Sequence, residues 1–137
     1  MGETNNRILP VGIQSFEKIR KEGLLYVDKT EIIWNLVNSN KTYNYLSRPR
    51  RFGKSLLVDT LQAYFEGRKE LFEGLKIMDL EKEWVKRPVV RLDMSRAGST
   101  AHELNAYLNL AFKEYERKYG IEASASDSLS NRFDIII

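Results

Sequence analysis

Eight consecutive residues, Arg48-Pro49-Arg50-Arg51-Phe52-Gly53-Lys54-Ser55, put four cations, a glycine and a hydroxyl into one short stretch. Those types in that order suit phosphate binding. A loop that ends at a helix N-terminus presents backbone N–H groups with no intrahelical acceptor, together with the positive end of the helix dipole. Gly53 allows the main chain to approach an anion, Lys54 can reach the β- and γ-phosphates of a nucleotide, and the Ser55 hydroxyl is placed to ligate Mg²⁺. Leu56 opens the apolar side of the helix that would follow. The spacing departs from the general pattern G-x-x-x-x-G-K-[ST] at one point. Arg48 stands where the first glycine is expected, so the exit into the loop falls to Arg48-Pro49, with Pro49 fixing its own φ and holding Arg48 extended.

Such a loop needs elements on both sides of it. Thr42-Tyr43-Asn44-Tyr45-Leu46 alternates and is rich in aromatic residues, which predicts a strand. Leu56, Leu57, Thr60, Leu61, Tyr64 and Phe65 recur at helical spacing, and Gly67 ends that helix. Upstream, Ser15 to Lys21 predicts a short helix closed by Gly23. A second helix is predicted over Glu31 to Asn38, with Asp28 or Thr30 as its N-cap. Downstream, Lys69 to Leu75 reads as one or two helical turns, Glu81 to Arg87 as a crossover, and Pro88 to Met94 as a second strand. Thr100 and Glu103 form a capping box ahead of a long helix ended by Gly120, with Tyr107, Phe112, Tyr115 and Tyr119 on one face. Residues 122–131 are rich in Ser and Ala and read as mobile, and 1–7 as a disordered leader to a domain spanning 8–137. Strands alternating with helices predict an α/β fold, a three-layer P-loop NTPase type with a parallel sheet, incomplete at its C-terminus.

At 137 residues the chain is long enough for one domain with a core of its own. There is no cysteine, so disulfides and thiolate metal sites are excluded. Neither a signal peptide nor a stretch of membrane-spanning length is found, which makes the cytoplasm the expected compartment and a membrane no expected partner. The net charge of +3 does not by itself argue for nucleic acid, but the local cluster around Gly53 suits a polyphosphate or a nucleic-acid backbone equally.

Several segments taken together, Leu9 to Arg20, Tyr26-Val27-Asp28-Lys29-Thr30, Leu46 to Leu57, Ala63-Tyr64-Phe65-Glu66-Gly67 and Pro88 to Ser95, resemble in this order the bacterial AAA-ATPase-like domain family. In that family arginine is usual at the position of Arg48. The resemblance implies ATP as ligand, with Mg²⁺, held by residues Arg48 to Leu56. It also places the segment around Asp28 near the adenine. It implies a C-terminal nuclease domain of the PD-(D/E)XK type as a frequent fusion partner. The second acidic motif of the family belongs beyond the helix that begins near Phe133, so the expectation is the N-terminal part of an ATPase domain that binds nucleotide with little or no hydrolysis.

Two rival readings of the loop stay open. It could be a nucleic-acid-binding module that uses Arg48, Arg50, Arg51 and Lys54 against phosphates, or a folded remnant that binds nothing. Asp93 ends an apolar run and could orient Mg²⁺, but the interruption by Arg91 favours an acid that caps its own loop. His102 has no partner histidine or cysteine for a metal site, and the tyrosine stripe reads as core packing.

Overall fold

The computed structural model describes residues 7–121; the expectations placed on 1–6 and on 122–137 lie outside them. The chain divides into two compact units, Met1–Arg87 and Pro88–Ile137.

The first unit is built from four α-helices and a 3-10 turn. Helix α1, Phe16–Lys21, is capped by Ser15, whose hydroxyl accepts the Lys18 N–H at 3.3 Å. Helix α2 spans Thr30–Val37, and α3 spans Lys54–Phe65 and ends before Gly67 at φ +69°. The 3-10 turn covers Lys69–Phe72, and α4 is the single turn Ile77–Leu80, which periodicity did not mark out. Phe16, Ile33, Tyr64, Phe72 and Ile77, drawn from all five elements, meet in one apolar cluster. Phe72 lies with its ring centroid 4.9 Å from that of Phe16 and 5.1 Å from that of Trp84. Polar ties fix the helices around this core. The Phe16 N–H donates to the Asp59 carboxylate of α3 at 2.7 Å, and Arg20 Nε donates to the Leu71 carbonyl at 2.8 Å. Arg68 donates to both Glu17 carboxylate oxygens, at 2.9 and 2.7 Å.

The second unit is an extended segment laid beside a helix. Helix α5, Ala101–Tyr119, carries the full capping box between Thr100 and Glu103, and Gly120 closes it at φ +66°. The Tyr119 hydroxyl accepts the Val89 N–H at 2.8 Å and donates to the Val89 carbonyl at 3.0 Å. Tyr115 does the same with Arg91, both at 2.8 Å, and Tyr107 accepts the Asp93 N–H at 2.8 Å. Four residues of helix rise about 6 Å and two residues of extended chain about 6.6 Å, so Tyr115 and Tyr119, four apart, meet main-chain positions two apart; Tyr107, eight residues from Tyr115, does not follow that register.

The parallel sheet expected from sequence is not formed: among the described residues there is no strand, and the architecture is helical. A strand exists only through a partner ladder, and β-propensity follows from that context more than from the backbone itself. Residues 41–52 are exposed throughout, and among the described residues no main-chain hydrogen bond ties them to another segment. In the 88–93 segment side-chain hydroxyls of α5 take the place a neighbouring strand would occupy. Among the described residues no helix is long and apolar enough to cross a membrane.

Candidate phosphate-binding loop and adjoining cleft

The loop leads directly into α3, as its composition implies. Gly53 is the N-cap, left-handed at φ +75° and ψ +18°, and gives the helix no side-chain cap. A Cβ built there meets nothing within 4 Å, so the conformation, not close packing, is what calls for glycine. Arg51 is also left-handed, at φ +66°. The first intrahelical bond runs from the Leu57 N–H to the Gly53 carbonyl at 2.9 Å, which leaves the N–H groups of Lys54, Ser55 and Leu56 ahead of it. The first turn of α3 holds no acidic residue, so nothing on the helix itself offsets its positive end. Lys54 and Ser55 are exposed at this end.

Beside the loop lies a cleft of about 440 Å³. Its lining includes Tyr26, Val27, Lys29 and Ile32 from the start of α2 and the segment before it, and Leu46, Arg48, Phe52, Gly53 and Leu56 from the loop and the start of α3. Its lining is largely apolar, with Lys29 and Arg48 as cations and no carboxylate. Burial pushes the Tyr26 phenol above its ordinary range, which keeps it neutral. Four of the residues singled out from sequence, Arg48, Phe52, Gly53 and Leu56, therefore line one space. Pro49, Arg50, Arg51, Lys54 and Ser55 are exposed and do not line it.

Asp28 has a different position from its neighbours. One carboxylate oxygen accepts the N–H and the hydroxyl of Thr30, at 2.9 and 2.6 Å, and the other accepts the Lys76 N–H at 2.7 Å. Partial burial pushes this carboxyl up, but the bonds from Thr30 and Lys76 outweigh it and hold it below the ordinary range. The N-cap of α2 is Lys29, not Asp28 or Thr30, and gives no side-chain cap; Asp28, one residue ahead of it, ties the helix start to the segment leading into α4, while Val27 and Lys29 on either side line the cleft. Sequence reasoning picked out Asp28 within this segment; Tyr26 and Ile32 were missed as cleft residues. The only signal for them was their place in apolar runs, which does not distinguish core from cleft.

Elsewhere, Asp93 accepts the Ser95 hydroxyl at 2.6 Å and the Ser95 N–H at 3.1 Å, and so caps its own turn. Those two bonds hold its carboxyl below the ordinary range. Among the described residues no group of three or more His, Cys, Asp or Glu could hold a metal ion.

A family described as "Predicted AAA-ATPase" matches residues 10–137, the loop, the cleft and both units included. The chain belongs to the AAA-ATPase-like family. Among curated proteins, an "Uncharacterized protein in vnfD 5'region" of Azotobacter chroococcum mcd 1 is 49% identical to this AAA-ATPase-like chain over 86 residues. The alignment takes in 61% of this chain and 16% of that protein, so the chain spans about a sixth of its relative's length. No solved structure matches.

Proposed function

We propose that this AAA-ATPase-like chain binds ATP–Mg²⁺ through the variant loop Arg48–Ser55. The observation that carries this reading is the uncompensated N-terminus of α3, opened by left-handed Gly53 beside a mostly apolar cleft. In it the β- and γ-phosphates take the N–H groups of Lys54, Ser55 and Leu56, with the Lys54 ammonium against them. Mg²⁺ arrives with the nucleotide and takes the Ser55 hydroxyl as one ligand. Arg48 neutralises a further phosphate oxygen. The base enters the cleft among Phe52, Val27 and Ile32. Guanine offers N–H donors on its pairing edge, which a cleft lined without carboxylates does not answer, and adenine fits that lining better.

Hydrolysis needs a group that orients the attacking water and an acid that holds the metal. The cleft lining supplies neither, so binding without appreciable turnover is the expected behaviour of this chain alone. In family members fused to a nuclease domain, as the resemblance implies, nucleotide binding at this loop would be coupled to that domain.

The test is a titration of ATP–Mg²⁺ by calorimetry and by thermal shift. At a hundred times Kd a bound ligand stabilises the fold by about 2.7 kcal/mol, which raises Tm by several degrees. Lys54→Ala should weaken binding about tenfold or more, since it removes a charge-assisted bond worth roughly 1.5–3 kcal/mol. Identical titrations of wild type and Lys54→Ala would sink the proposal.

A further inference from the structure

In the segment Tyr26-Val27-Asp28-Lys29-Thr30, three residues line the cleft, Tyr26, Val27 and Lys29, while Asp28 and Thr30 do not. Thr30 is fully buried, out of reach of anything bound in the cleft. The two side chains that leave the cleft meet the start of α4 instead. A helix start carries N–H groups with no intrahelical acceptor, and α4 is a single turn beginning at Ile77 behind Lys76. Asp28 accepts the Lys76 N–H at 2.7 Å, and the Thr30 hydroxyl oxygen accepts the Ile77 N–H at 3.2 Å. The same hydroxyl donates to Asp28 at 2.6 Å, and the Thr30 N–H donates to it at 2.9 Å. Asp28 and Thr30 thus form one closed network between the start of α2 and the start of α4.

The network decides what Asp28 can do. Its bonds take three of a carboxylate's roughly four acceptor positions, which leaves little with which to hold a ligand or a metal. Nor would a carboxylate be welcome against nucleotide phosphates. Consecutive Cα atoms are fixed about 3.8 Å apart, so a residue anchored by three bonds also restrains both of its neighbours. Those neighbours are Val27, in contact range of a base, and Lys29, which with Arg48 is one of two cations lining the cleft. We propose that Asp28 and Thr30 are positioning residues of the cleft: they touch no ligand, and by bracing the start of α2 against α4 they hold Val27 and Lys29 in place to receive the nucleotide. This inference rests on the nucleotide reading of the cleft.

The test is calorimetric titration of ATP into variants of the full chain, with and without Mg²⁺, at a temperature where circular dichroism shows each one folded. Asp28→Asn keeps one acceptor oxygen, so it can hold Thr30 or Lys76 but not both. Thr30→Val removes the hydroxyl at similar volume, and Thr30→Ser keeps it. Asp28→Asn and Thr30→Val should each raise the Kd for ATP–Mg²⁺ about tenfold, the usual scale for losing a group that supports a ligand site. Thr30→Ser should keep the wild-type Kd. Glu17→Gln loosens the same unit at a residue that lines no part of the cleft, and should also keep it despite a lower Tm. Asp28→Asn should lose the same factor with and without Mg²⁺, a comparison that stands even where Thr30→Val fails to fold. A loss confined to Mg²⁺ would make Asp28 a metal ligand and overturn the proposal. So would a weakened Asp28→Asn beside an unaffected Thr30→Val, or Glu17→Gln weakened as much as either. Wild-type binding with all variants unaltered sinks this inference alone, whereas a wild type that does not bind ATP–Mg²⁺ sinks the nucleotide reading and the inference with it.

Discussion

Glu17 joins α1 to the turn that follows α3 by accepting both guanidinium nitrogens of Arg68, with a further bond from Lys21. Those bonds, the one from Arg68 foremost, hold its carboxyl down at about 2 against an ordinary value of 4.5. A carboxyl whose folded value lies below its unfolded one adds stability above the unfolded value, and that stability disappears as pH falls through the folded one. The contribution of Glu17 is therefore whole above about pH 4.5 and lost on the way down to about 2. Glu17→Gln should lower the urea midpoint at neutral pH, and the gap from wild type should close towards pH 2; an equal gap at both ends would show that the ion pair is not its source. At this scale the sequence was informative about type but not about geometry. Gly53 and Lys54 could be picked out because few residues do their chemistry. The bidentate pair of Glu17 with Arg68 spans 51 positions, and no local pattern announces it.

Among the elements, the helices were legible because their signals are local. Ser15, Gly23, Gly67 and Gly120 each mark an end, and the capping box of Thr100 with Glu103 opens α5 as its spacing implies. Thr100 accepts the Glu103 N–H at 3.2 Å, and Glu103 accepts the Thr100 N–H at 3.0 Å. Thr100→Ala should cost about 1 kcal/mol, seen as a lower denaturation midpoint and as faster amide exchange in the first turn of α5. Unchanged exchange there would mean that the cap contributes nothing to the helix. The strands were misjudged because their signal is not local. Thr42–Leu46 and Pro88–Met94 have strand composition, yet one stays exposed and the other meets tyrosine hydroxyls of α5.

On the scale of the molecule, the first unit is held by a cluster to which every one of its elements contributes. Phe72 is fully buried at its centre, between Phe16 and Trp84. Phe72→Ala should cost about 3–5 kcal/mol, a large share of the roughly 5–15 kcal/mol by which a domain is stable. Calorimetry should show a Tm lowered by many degrees, and a shift below one degree would contradict this account of the core. The same packing makes the cleft, since Ile32 neighbours Ile33 of the cluster on α2 and Leu56 of α3 both lines the cleft and packs against the cluster. The sequence by itself determined that a loop of this composition runs into α3 at Gly53, most of the helix ends and the family, because each rests on residue types at short, fixed spacing. Only the tertiary structure decided that Val27, Lys29 and Ile32 line one cleft with residues of the loop, that Asp28 is tied to Thr30 and Lys76, and that among the described residues neither extended segment joins a sheet. Those outcomes depend on which distant groups meet, and hydrogen-bond partners far apart in the chain leave no periodic trace in it.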